Sequence, residues 1–170
     1  VSGGLHGVGA AVVTALSESL LVEVRQGGKV FHQGFRRGVS TGDLKEVGVT
    51  DKTGTLVTFK PDTEIFGVTE FNTDTLAARL RELAFLNQGV GITLTDERLT
   101  EIKRIEFRSS AGIIEFVDYI NKSKQKIHKE VIYFAQGKEG IQVEIAMQWN
   151  ESFTETVSSY ANYINTIVGG

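Results

Sequence analysis

The sequence predicts a layered α+β chain, and three observations carry that expectation. A glycine-rich loop near the amino end runs straight into an apolar helical stripe, a two-glycine turn separates two strand-like runs, and a late segment alternates apolar and polar residues without a break. At 170 residues, 41% of them hydrophobic, the chain can form a real core, as one domain or two small ones. Its net charge of −3 and lack of a basic stripe argue against a duplex-binding surface within these residues. Cysteine is absent, which excludes disulfides and thiolate chemistry and is compatible with a reducing cytoplasm. No apolar run reaches the length of a membrane span, and glycines interrupt the amino end, so neither a membrane contact nor a signal peptide is expected. Val1 at the start and Gly169-Gly170 at the stop read as the ends of a fragment excised from a larger subunit.

The first element is Ser2-Gly3-Gly4-Leu5-His6-Gly7-Val8-Gly9, followed by the stripe Ala10 to Leu16. Four glycines in eight residues leave backbone N–H groups free of side-chain cover. A helix start adds further unpaired N–H groups and the positive end of its dipole, which together make a main-chain cradle for phosphate. A helix N-terminus favours an anion by only about 0.3–2 kcal/mol, so several N–H groups must act together. A nucleotide is therefore the first ligand to expect. The Walker pattern is excluded because no lysine lies near these glycines, and Val12 occupies the position where the dinucleotide fingerprint requires its third glycine.

Leu20–Gln26 and Lys29–Phe35 flank Gly27-Gly28 and predict a β-hairpin. Gly38 to Asp51 reads as a polar loop. Thr55–Lys60 reads as a strand with Thr55, Val57 and Phe59 on one face, ended by Pro61. A helix is expected from Asp74 to Asn87, capped by Thr73 or Asp74 and left through Gly89. Val90, Ile92 and Leu94 alternate as a strand. Ile113, Phe116, Val117 and Ile120 mark a second helix, with Ser109 or Ser110 as its cap, and Lys122–Lys129 reads as a solvated connection. Ile141–Trp149 is apolar at every odd position, the pattern of an antiparallel strand with one buried and one wet face. A seam is expected between Phe107 and Gly112. Paired acids such as Asp96-Glu97 read as solvated charges, and no metal-ligand cluster is visible.

Beyond these local signals, Gly4-Leu5-His6-Gly7-Val8-Gly9 resembles the ATP lid of the bacterial type IIA topoisomerase B subunits, those of DNA gyrase and topoisomerase IV. These are members of the GHKL ATPase class, which also includes a heat-shock chaperone, sensor histidine kinases and a mismatch-repair protein. Lys52-Thr53-Gly54-Thr55-Leu56-Val57-Thr58-Phe59 is similar to the second nucleotide-site motif of that family, and Arg79–Asn87 to its late ATPase helix. Gln148-Trp149-Asn150 and Asn162–Thr166 resemble landmarks of the transducer domain that follows. The motifs keep family order along the whole chain, and Ala146–Asn150 leans toward gyrase over topoisomerase IV.

The resemblance implies the back half of a GHKL-type ATPase α/β sandwich over residues 1–107, then the start of a ribosomal S5 domain 2-like transducer over 108–170. It implies ATP and Mg²⁺ as cofactors, with phosphates met by the backbone of Gly4, Leu5, His6, Gly7, Val8, Gly9 and Ala10. Thr55 would hold the adenine end, partly through water. His6 is assigned to phosphate contact or lid shape, since the family's water-activating glutamate lies on a helix that no segment here matches. No catalytic or metal-binding residue is therefore expected in the chain. The implied partners are the gyrase A subunit in an A2B2 heterotetramer, DNA through the intact enzyme, and a second copy on ATP binding. The implied location is cytoplasmic. The sequence departs from the family at Gln26, near a pocket-rim position often held by arginine, at Ser109-Ser110 and at Ile167-Val168. A non-catalytic lid-and-transducer docking module is the alternative from another class.

Overall fold

The computed structural model describes residues 7–98 and 100–166. It divides into two compact units, Val1–Glu70 and Phe71–Gly170. That division falls well ahead of the seam expected near Phe107.

In the first unit a short helix α1 (Gly9–Ala15) leads directly into β1 (Ser17–Gln26). β1 turns through Gly27-Gly28 into β2 (Lys29–Arg36) with Gln26 opposite Lys29. Both glycines have positive φ, +62° and +79°, the backbone that a two-residue hairpin turn with right-handed strand twist requires. The expected loop from Gly38 to Asp51 is instead partly sheet. β3 (Val39–Ser40) and β4 (Lys45–Val49) both pair with β2, and every residue of β4 is exposed. An edge strand with one partner and no buried face carries no alternation that a hydrophobic pattern can detect. β5 (Gly54–Pro61) pairs antiparallel with the other side of β1, so β1 is a central strand.

The pairings Leu20–Phe35, Leu20–Phe59, Val22–Val57 and Val24–Thr55 put these residues on one face, as the sequence alternation predicts for β5. Leu20, 4% exposed, is the buried apolar residue of that face. The opposite face carries an ion-pair cluster among exposed apolar residues: Glu23 lies across from His32 at 2.8 Å and also pairs with Arg25.

The second unit begins with α2 (Thr73–Leu86), which packs on a hairpin of β6 (Gly91–Asp96) and β7 (Lys103–Arg108). Ala77, Ala84 and Phe107 form its core, with Leu80, Ile92, Leu94 and Ile105 around them. Small residues on the helix let its backbone approach the hairpin closely. The cap of α2 is Asn72, whose side chain accepts from the Thr75 N–H at 2.8 Å, not Thr73 or Asp74. Thr73 is engaged elsewhere, by the Asp96 carboxylate and Arg98. β7 carries little signal in the sequence because only Ile105 and Phe107 mark its inner face.

α3 (Ile113–Ile120) starts at Gly112, φ +60°, without a side-chain cap. Ser109 and Ser110 act one step removed. Both hydroxyls bond the Glu115 carboxylate, and the Ser109 hydroxyl also accepts from the Gly112 N–H at 2.9 Å. β8 (Ile132–Lys138) and β9 (Ile141–Met147) form a further hairpin, and β10 (Tyr160–Ala161) with β11 (Ile164–Asn165) a small one. β9 keeps its predicted alternation but not its predicted burial: Ile141, Val143 and Ile145 are 68%, 50% and 47% exposed. Among the described residues, no helix is long and apolar enough to cross a membrane.

Candidate nucleotide-binding site

Of the residues that resemble the lid, Gly4, Leu5 and His6 lie outside the described residues. Gly7 to Ala10 form the entrance of α1. Gly7 has φ +66°, a left-handed conformation that β-branched residues scarcely adopt. A side chain at Gly7 or Gly9 would meet no atom within 4 Å, so it is backbone conformation, not crowding within the chain, that calls for glycine at position 7. Val8 precedes the helix with no side-chain cap, and no acid stands in the first turn. Among the described residues, the N–H groups of Gly9, Ala10 and Ala11 therefore have no intrahelical acceptor and no first-turn carboxylate. That is an entrance with donors and a dipole left for an anion.

Thr55 lies in β5 opposite Val24, on the apolar face and exposed. Its hydroxyl has no hydrogen-bond partner among the described residues. Gly54 beside it has φ +147° and open space around its missing side chain. No hydrogen bond links Thr55 to Gly7–Ala10; α1 and β5 are joined instead at the opposite end of the strand.

The long-range pairing at that junction has no signature in the sequence. At the foot of α1, three carbonyls receive backbone donors from two other segments. Thr14 accepts from Gly38 at 3.0 Å, Leu16 from Asp62 at 3.1 Å and Ser17 from Arg37 at 3.0 Å. Asp62 follows β5 immediately and its side chain is 2% exposed. Its carboxylate accepts from Arg37 Nε at 2.6 Å and Nη2 at 3.3 Å, and from the Glu64 N–H at 3.0 Å. The Glu64 N–H first, and then Arg37, hold the Asp62 carboxyl below its ordinary range against the opposing effect of burial. Arg37 is held charged by Glu64, at 2.5 Å, and by Asp62. Asp62 two residues before Glu64, just after a proline, is an Asx-turn signal; only the pairing with Arg37 needed the fold to be seen.

The transducer-like landmarks build a different kind of node. Asn121, 3% exposed, donates to the Gln148 side-chain oxygen and accepts from the Asn150 amide, both at 3.0 Å. His128 Nδ1 donates to the Glu130 carbonyl at 2.7 Å, while its Nε2 accepts from the Trp149 N–H at 3.0 Å. With one nitrogen donating and the other accepting, the ring is neutral with its proton on Nδ1. Lys126 pairs with Asp118 at 2.7 Å, so the basic connection is partly engaged within the chain. These contacts are architectural. Among the described residues no group of three His, Cys, Asp or Glu could hold a metal ion.

The fold is similar to that of solved gyrase B structures, a class of ATPase-region proteins. The 43K ATPase domain of Thermus thermophilus gyrase B, solved with an aminocoumarin, superposes with TM-score 0.81 and 34% identity, covering 94% of this chain and 44% of that one. The B-subunit of the DNA gyrase from Myxococcus xanthus gives TM-score 0.83 at 26% identity, covering 93% of this chain and 46% of that one. The DNA gyrase B family model matches residues 112–170. The DNA gyrase B protein of Bacillus mycoides is 51% identical over all of this chain and 42% of its own length. That of Halalkalibacterium halodurans is 53% identical over all of this chain and 27% of its own length. The chain belongs to the DNA gyrase B family, and it spans less than half the length of these relatives.

Proposed function

We propose that the chain forms part of the ATP-binding and hydrolysing region of a DNA gyrase B protein. The observation that carries this reading is the entrance of α1: a left-handed glycine, no cap and no first-turn acid, in a chain half identical to its gyrase B relatives. The backbone of Gly4, Leu5, His6, Gly7, Val8, Gly9 and Ala10 would bind the triphosphate of ATP, and Thr55 would hold the adenine end. The free donors of the α1 entrance fit that ligand. Mg²⁺ would accompany the triphosphate, with its protein ligand supplied by a segment that this chain does not match. Residues 1–107 belong to the ATPase part and 108–170 to the transducer, a division supported by the family match beginning at residue 112.

In this reading the glycine lid closes on bound nucleotide and two copies dimerise. That conformational use of phosphate binding is then coupled to DNA strand passage and supercoiling by an A2B2 assembly in the cytoplasm. The residues of this chain bind and position; none is assigned to water activation.

The test is Gly7→Val in the intact protein. A branched side chain at φ +66° disturbs the loop that presents the N–H groups. Loss of even one charge-assisted bond weakens affinity for a non-hydrolysable ATP analogue by about tenfold or more. Thermal unfolding should shift little. Unchanged affinity would leave the loop a plain structural turn and favour a docking module.

A further inference from the structure

We propose that Arg37 and Asp62 are positioning residues for the lid, a clasp that fixes the foot of α1 to the exit of the strand bearing Thr55. The proposal rests on the nucleotide-site reading above and extends it to residues that reading does not use. α1 has seven residues and no buried side chain, so packing alone holds it weakly. The carbonyls of Thr14, Leu16 and Ser17, at and just beyond its carboxy end, are held instead by the N–H groups of Gly38, Asp62 and Arg37. Two of these donors belong to the residues of the Arg37–Asp62 ion pair, whose carboxylate alone is buried, and the third follows Arg37 directly.

The turn is also built under constraint. Arg37 has φ +49°, unusual for a residue with a side chain, and its guanidinium reaches two carboxylates at once. A Cβ on Gly38, φ +83°, would lie 3.3 Å from the Ala15 Cα, so the turn sits against the helix backbone itself. Asp62 is the residue after β5, and Thr55 stands near the start of that strand. The clasp therefore ties the helix that presents phosphate donors to the strand that presents the Thr55 hydroxyl. Breaking it frees the angle of α1 while leaving both nucleotide elements chemically intact.

The experiment compares Asp62→Ala, Arg37→Ala and Arg37→Lys in the intact protein, with Gly7→Val as reference. Amide exchange of residues 9–16 is measured without nucleotide, and affinity for a non-hydrolysable ATP analogue alongside it. Both alanine variants should accelerate exchange in α1 by about tenfold, beyond any change in β1, because local opening no longer breaks the clasp. Analogue affinity should fall about three- to tenfold, with Arg37→Lys restoring part of both effects. Arg37 is half-exposed, so Arg37→Ala remains informative if Asp62→Ala fails to fold. Exchange in α1 that rises no more than in β1, or affinity unchanged in Arg37→Ala, overturns the clasp. Normal affinity in Gly7→Val alone overturns the lid reading instead, and the exchange result still decides whether the clasp holds α1.

Discussion

Two hairpins in this chain share a turn geometry and differ in almost everything else. β1–β2 and β8–β9 each cross over through two residues at positive φ, Gly27-Gly28 and Glu139-Gly140. β1 lies between two partner strands and buries Leu20 at its foot. β9 has one partner strand and leaves Ile141, Val143 and Ile145 of its apolar face exposed, although its alternation is the cleaner of the two. Alternation thus reports which residues share a face; it does not report that the face is covered. Coverage depends on what packs above the strand, which is non-local.

The largest effect that tests this comparison comes from truncating one apolar residue in each hairpin. Leu20→Ala should cost about 2–5 kcal/mol in denaturant unfolding, while Val143→Ala should cost less than about 1 kcal/mol. Equal costs would show that the face of β9 is covered in solution. Next come the turns, where the two hairpins should behave alike. Gly28 and Gly140 stand at φ +79° and +82°, so alanine at either should cost about 1–2 kcal/mol. A turn glycine that tolerates alanine would mean the hairpin relaxes to another turn type.

The smallest difference is electrostatic. The His32 hydrogen bond first, and then Arg25, hold the Glu23 carboxyl below its ordinary value of 4.5. Its contribution is complete above that value and is lost as pH falls through the lower, folded-state value. Acidification below 4.5 should therefore speed amide exchange across β1–β2. β8–β9 carries no ion pair among the described residues and should lack this step. Parallel acid responses in the two hairpins would remove Glu23 as the cause.

The same contrast explains how much the sequence could reveal. The Gly27-Gly28 turn is readable because two adjacent glycines announce positive φ, whereas Glu139-Gly140 is not, because glutamate gives no such sign. α2 is readable from its spacing, but its cap falls on Asn72 because Asp96 and Arg98, distant in sequence, engage Thr73. The glycine-rich loop is suggested by its composition and Thr55 by motif resemblance, and neither signal depends on periodicity. Arg37 and Asp62 escape because each is ordinary alone and acquires meaning only when β2 and β5 flank β1.

The neutral His128 ring has an optical consequence. Both of its nitrogens are committed, so the ring links the Glu130 carbonyl to the Trp149 N–H. The two rings also lie 5.7 Å apart at a 51° tilt, and Trp149 is the only tryptophan in the chain. Any displacement of the imidazole would change the surroundings of that lone indole and release its backbone N–H at the same moment. The emission of one native fluorophore thereby becomes a built-in readout of the segment joining Lys129 to Asn150, with no label introduced.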